Sequence, residues 1–96
     1  MTRDLHPTEG ARYLLELSTD DGARAIYRAT IFVPTEQFLI EVTVTDDGSA
    51  TLAGSTAPPE LSDRLVNMAK LVGRDTKKRR EDGLPAWPAR VLRWRK

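Results

Sequence analysis

Apolar and polar residues alternate through the first half of the chain in a pattern that predicts four β-strands. The alternation is clearest over residues 38–45, where Phe38, Ile40, Val42 and Val44 are separated mostly by polar residues. Alternation of this kind is typical of a strand with one buried face, and β-branched residues suit its pleated surface. The predicted strands cover residues 12–18, 23–33, 38–45 and 50–53.

Short turn signals separate these strands. The sequence Asp-Asp-Gly occurs at residues 20–22 and again at 46–48, each time between two apolar runs. Asp-Gly favours a tight hairpin because glycine adopts positive φ without a Cβ clash. Pro34 fixes the corner between the second and third strands. Successive hairpins predict an antiparallel meander.

Helical periodicity replaces the alternation after residue 57. Pro58 and Pro59 suit the first turn of a helix, where no intrahelical N–H bond is lost. Apolar residues then recur at helical spacing and form a core-facing stripe: Leu61, Leu65, Met68, Ala69 and Val72. Two ends are consistent with this pattern. The helix stops with Gly73 as its cap, or it continues to Asp82 and stops at Gly83.

The second predicted strand has apolar residues on both faces. Its odd-numbered positions carry the larger apolar set and are assigned to the core. Ile26 and Phe32 then lie on the opposite face, together with Leu39 of the third strand. One helix covers only one side of a sheet, so this second face is predicted to be uncovered. A contiguous apolar patch there would mark a partner or self-association surface.

Residues 84–96 allow two interpretations, because Pro85 and Pro88 exclude only a continuous helix before residue 88. As a helix, the segment presents Trp87, Val91 and Trp94 on one side. As a strand, Leu92 and Trp94 alternate with arginines. The segment could also fold over the uncovered sheet face through Trp87, Leu92 and Trp94, which excludes a partner from it. The candidate partner or docking surface is therefore Ile26, Phe32, Leu39, Trp87 and Trp94.

These elements predict an α+β fold, a four-stranded antiparallel β-meander packed on one C-terminal helix (ββββα) with a basic C-terminal tail. Residues 1–10 are expected to form a flexible N-terminal arm, residues 11–83 a single α+β domain, and residues 84–96 a basic, tryptophan-containing tail that is partly docked. A chain of 96 residues is long enough for one core and too short for two.

Charge divides the chain. Residues 1–57 hold four arginines and nine acidic residues, net −5, and residues 58–96 hold eleven basic and five acidic residues, net +6. Such asymmetry predicts a polyanion-binding tail or, equally, attraction between the two halves of the fold. The candidate polyanion contacts are Lys77, Lys78, Arg79, Arg80, Arg90, Arg93, Arg95 and Lys96. Arginines next to tryptophans are typical of nucleic-acid surfaces.

Catalytic and metal-binding patterns are not found in the sequence. The chain has no cysteine, and its single histidine, His6, lies in the predicted arm, where no fixed geometry positions a general base. The paired aspartates before Gly22 and Gly48 are typical turn residues and lack the spacing of a calcium loop. No enzyme activity, cofactor or metal is expected.

The sequence therefore predicts a small non-catalytic interaction module that binds a protein partner or itself. The alternative is a nucleic-acid-binding protein that uses the basic C-terminal third. The N-terminus lacks the apolar run of a signal peptide, and no stretch reaches the roughly 18 apolar residues of a membrane span. No membrane partner is expected, and a cytoplasmic location follows by elimination.

Overall fold

The described part of the chain, residues 9–54 and 57–95 of a computed structural model, forms five strands and two helices; at residue 95 only the backbone is described. The strands are β1 (Ala11–Asp20), β2 (Arg24–Phe32), β3 (Gln37–Thr45), β4 (Ala50–Ala53) and β5 (Arg90–Arg95). The helices α1 (Pro59–Arg74) and α2 (Thr76–Glu81) lie between β4 and β5. The predicted α+β class with an antiparallel sheet and a C-terminal helix is confirmed.

The sheet has five strands in the order β4-β3-β2-β1-β5, so the predicted four-stranded sheet is wrong in its strand count. β5 pairs antiparallel with the outer edge of β1, and Leu14 lies opposite Leu92. Residues 90–95, assigned to a tail by the sequence, are therefore an edge strand. The free N–H and C=O groups along β1 give this segment a hydrogen-bonding partner, which periodicity within the segment alone does not reveal.

The core lies between α1 and one face of the sheet. Val42 and Val44 of β3 are fully buried and belong to the same core cluster as Leu65 and Val72 of α1. The odd-numbered residues of β2 also face this core, including Tyr27, as their larger apolar content predicts. α1 packs chiefly on the β3 and β4 side of the sheet.

The helical segment is interrupted once, at Asp75. It therefore does not end at Gly73, and it reaches the second predicted end only as two helices. α1 continues through Gly73 to Arg74, and α2 follows at once and ends before Gly83, which has a φ of 75°. Gly73 is thus a helical residue rather than a cap. A Cβ built on it would lie 2.5 Å from the Thr45 carbonyl oxygen and 3.0 Å from Cγ1 of Val44. The glycine permits the close approach of α1 to β3.

We expect Gly73→Ala to destabilise the domain by about 1–3 kcal/mol, the usual cost of overpacking a core. In a helix without this contact the same change would stabilise by up to about 1 kcal/mol, so the sign of the effect is informative. Thermal or urea denaturation measures it. The comparison is Gly54→Ala, at a glycine with a φ of 70° and no atom within 4 Å of an added Cβ, where any destabilisation comes from the backbone conformation and not from a close contact. A Gly73→Ala protein as stable as the wild type would contradict the close packing.

The aspartates before the two turn glycines are hydrogen-bonded within their turns. Oδ1 of Asp21 accepts from the backbone N–H of Arg24 at 2.8 Å, and Oδ1 of Asp47 accepts from that of Ser49 at 2.9 Å. The Thr45 hydroxyl also donates to Asp47. The bonds from Thr45 and Ser49 lower the pKa of the Asp47 carboxyl. Within residues 9–54 and 57–95, no three histidine or carboxylate side chains group in a way that could hold a metal ion.

Candidate interaction surface

Trp87 lies on the core side of the sheet and is only 4% exposed. Its indole Nε1 donates to the carbonyl oxygen of Gly22 at 3.0 Å, and its ring meets that of Tyr27 edge to face, with centroids 6.5 Å apart. The Tyr27 hydroxyl in turn donates to the carbonyl oxygen of Pro88 at 2.8 Å. The alternative in which Trp87 covers the second sheet face is therefore wrong, because its contacts lie on the α1 side.

Burial raises the pKa of Tyr27 to about 12, with Arg79 lowering it and Asp20 raising it to smaller extents. An unfolded tyrosine ionises near pH 10, so the unfolded state releases its proton first as the pH rises. The stability associated with neutral Tyr27 is present below pH 10 and is lost between about pH 10 and 12. We expect the melting temperature to fall across that interval by more in the wild type than in Tyr27→Phe. Parallel curves for the two proteins would contradict it.

The second face of the sheet, called the open face from here on, is the side away from α1. Register places an apolar row across it, formed by Leu92 of β5, Leu14 of β1, Thr30 of β2 and Leu39 of β3. The neighbouring row, two residues further along each strand, contains one residue from each of the same four strands, in the order Trp94, Arg12, Phe32 and Gln37. Leu92 and Trp94 therefore extend the predicted apolar face through the added strand.

Some large apolar side chains of the open face contact solvent, whereas Leu14 and Thr30 at its centre are buried, 6% and 7% exposed. Leu39 is 60% exposed and Trp94 is 47% exposed, whereas Ile26 and Phe32 are half-buried. No described helix or loop packs across this side of the sheet. A shallow depression of about 250 Å³, lined in part by Ile26, Arg28 and Leu39, marks its surface. Four of the five predicted surface residues, Ile26, Phe32, Leu39 and Trp94, thus share one face.

A row of charges with alternating sign borders the apolar row. Arg90 lies opposite Glu16, Glu16 opposite Arg28, and Arg28 opposite Glu41, so four neighbouring strands carry plus, minus, plus and minus. All four side chains are exposed. In the part of the chain that the structure describes, the ion pair within 4.0 Å is that between Arg80 and Asp46, elsewhere in the fold. Among the described residues, the four charges on the open face are neighbours but form no ion pair within 4.0 Å.

The basic candidates are divided between several positions. Lys77 and Lys78 are exposed on α2, Arg79 donates from Nε to the Pro85 carbonyl oxygen at 2.7 Å, and Arg80 donates to the Gly22 carbonyl oxygen and pairs with Asp46 at 3.8 Å. The Arg80 contacts join the basic half of the chain to the acidic half. The side chain of Arg95 and all of Lys96 lie outside the described residues, as do residues 1–8 of the predicted arm.

Three of the basic candidates line the same cleft. Arg79, Arg90 and Arg93 line a cleft of about 230 Å³ between β5 and the junction of α1 with α2, and Asp75 lines it too. The cleft is lined by residues of α2, of the α1–α2 junction and of the edge strand, a grouping that the sequence spacing does not indicate. Arg93 reaches this side because register places it opposite Tyr13, on the face toward the helices.

Sequence inspection missed Leu14 and the four-charge row as parts of the open face. Alternation within the first strand does not show which strands flank Leu14, and a β-bulge between Leu17 and Thr19 shifts the later register. The charge row spans four strands and depends on the pairing of β5 with β1. Knowledge of strand order would have revealed it; periodicity within each strand could not.

Comparison of the chain with protein-family models, with curated proteins and with solved structures found no match. Among the described helices, none has the length and apolar character needed to cross a membrane. Evidence about function therefore comes from the surface of the molecule.

Proposed function

We propose that the chain is a small non-catalytic interaction module whose open face binds another protein or a second copy of itself. The observation that carries this proposal is the exposure of Leu39 and Trp94 on the face with no described covering element. Burying apolar surface on association contributes about 25 cal/mol per Å², and large aromatic side chains commonly provide the principal contacts of an interface.

The surroundings of these side chains support the same function. The apolar row adjoins charged residues, and interfaces typically combine an apolar centre with a polar rim. Two shallow depressions, of about 250 and 200 Å³, share Ser18 and Arg28 and give the face relief into which partner side chains can fit. The sheet itself is a rigid platform, so binding there requires little ordering of backbone.

Substitution of one exposed leucine tests the proposal. Leu39 on the open face and Leu71 on α1 are 60% and 56% exposed, so they form a matched pair. We expect a tagged wild-type chain, isolated under mild conditions from its native cells, to elute in a complex larger than the 10.8 kDa of one chain. Leu39→Glu should lose that complex and Leu71→Glu should retain it. A mass of one chain throughout, or equal losses in the two variants, would contradict the proposal.

The cleft lined by Arg79, Arg90 and Arg93 supports nucleic-acid binding as a second candidate function. Guanidinium groups bind phosphates, and the resulting affinity falls steeply with salt. Asp75 in the same cleft opposes a polyanion, and the bond from Arg79 to Pro85 occupies one donor. Titration of mixed DNA and RNA at several salt concentrations tests this candidate. Binding that weakens steeply with salt and is lost in Arg79→Ala/Arg93→Ala favours it, and no binding at low salt excludes it.

A further inference from the structure

We propose that the occupant of the open face is a second copy of this chain, packed face to face about a two-fold axis that runs parallel to the strands between β1 and β2. This inference rests on the proposed interaction function and specifies its partner. The order of charges across the sheet supports a second copy as the occupant.

The charge row is self-complementary when it is reversed. Across β5, β1, β2 and β3 the signs are plus, minus, plus and minus. A two-fold axis along the strands reverses the strand order in the second copy, so β1 faces β2 of the second copy and β5 faces its β3. Each row of residues still faces the same row of the second copy. Glu16 then faces Arg28 of the second copy, and Arg90 faces Glu41 of the second copy. Because the axis relates the copies, each of these two contacts occurs twice.

The same axis matches the apolar row. Leu92 faces Leu39 of the second copy. Leu14 faces Thr30 of the second copy, but both are already buried in one chain, 6% and 7% exposed, so they add little to the area covered. The exposed leucine of β3 is thereby covered by an apolar side chain. Two twisted sheets packed with their strands nearly aligned are a common arrangement, with a separation of about 10 Å.

The other in-plane two-fold axis, perpendicular to the strands, is unfavourable. If it passes through the charge row, every charge faces its own copy, so Arg28 meets Arg28 and Glu16 meets Glu16. If it passes between the charge row and the apolar row, the four charges face Leu92, Leu14, Thr30 and Leu39 and are desolvated without charged partners. Like-charge contacts and unpaired buried charges both oppose association. The charge order therefore selects the axis along the strands.

The size of the face predicts weak association. Four strands about 4.8 Å apart, with four rows about 6.6 Å apart along them, give a flat area of about 500 Å² per copy. Side-chain relief increases the accessible area toward the roughly 800 Å² per partner of standard interfaces. We therefore expect a dissociation constant in the micromolar range, about 1–100 μM.

Charge reversal with complementation tests the inference. In a dimer of Glu16→Arg, the new arginine of each copy faces Arg28 of the other copy, so two repulsive contacts form. In a dimer of Arg28→Glu, the new glutamate of each copy faces Glu16 of the other copy, again twice. Sedimentation equilibrium of the purified full chain should show a mass that rises with concentration toward two chains for the wild type. Each single variant should associate at least about tenfold more weakly. Thermal melts establish that each variant is folded.

An equimolar mixture of the two single variants should regain association, because each added arginine then meets an added glutamate. The double variant Glu16→Arg/Arg28→Glu should also associate like the wild type, since its row of plus, plus, minus, minus remains self-complementary. A monomeric wild type, or single variants whose mixture gains nothing, would overturn the second-copy inference. Loss of a heterologous complex on Leu39→Glu would still support the interaction function in that case, so the two failures are distinguishable.

Discussion

Replacing Trp87 with alanine is expected to destabilise the domain by about 3–5 kcal/mol, the usual cost of removing a buried tryptophan. The change removes a 4% exposed side chain, its hydrogen bond to Gly22 and its edge contact with Tyr27. A domain of this size loses about 4–8 °C of melting temperature for each kcal/mol. We therefore expect a fall of more than about 12 °C by circular dichroism.

Trp94→Ala is the matched control, because Trp94 is 47% exposed and donates from Nε1 to the Glu9 carbonyl oxygen at 3.2 Å. Its loss should lower the melting temperature by only a few degrees, as is usual for exposed side chains. In the Trp94→Ala protein the remaining tryptophan should emit at blue-shifted wavelengths and resist an aqueous quencher. Emission like that of free indole, or equal destabilisation by the two substitutions, would contradict the buried position of Trp87.

Val42→Asp is expected to abolish cooperative folding. Val42 of β3 is fully buried in the core that α1 covers, and an unpaired carboxylate there costs several kcal/mol. Total stability of a small domain is about 5–15 kcal/mol, so the variant loses most or all of it. Circular dichroism should show little native signal and no sharp thermal transition.

The next residue provides the control for this substitution. Thr43 lies on the open face, half-buried and opposite Ile26, so Thr43→Asp leaves the new charge in reach of water. It should unfold cooperatively, with a melting temperature within several degrees of the wild type. If Val42→Asp melts like Thr43→Asp, the assignment of β3 faces is wrong.

Local patterns predicted the central part of the fold because they act within one element. The alternation over residues 38–45 identifies both the strand and its buried face, and the stripe that includes Leu65 and Val72 identifies the helix that covers it. The turn glycines Gly22 and Gly48 have φ values of 94° and 91°, as tight hairpin turns require. Each of these features depends on neighbours a few residues away in sequence.

The C-terminal strand could not be predicted in the same way, because its pairing depends on β1, roughly 80 residues earlier. Residues 90–95 are too short for periodicity to distinguish a strand from a helix. Gly73 was one of two candidate helix ends because glycine often ends helices, whereas its role depends on the Thr45 carbonyl oxygen of another element. The open-face charge row depends on the same long-range pairing.

Photo-crosslinking from the open face tests most directly the central claim that this surface meets another protein. The chain has no cysteine, so Leu39→Cys and Leu71→Cys each introduce a single attachment point for a benzophenone label. After irradiation in an extract of the native cells, the label at position 39 should give a discrete protein adduct that excess unlabelled wild-type chain prevents, and the label at position 71 should not. No discrete adduct from position 39, or the same adducts from both positions, would contradict the claim.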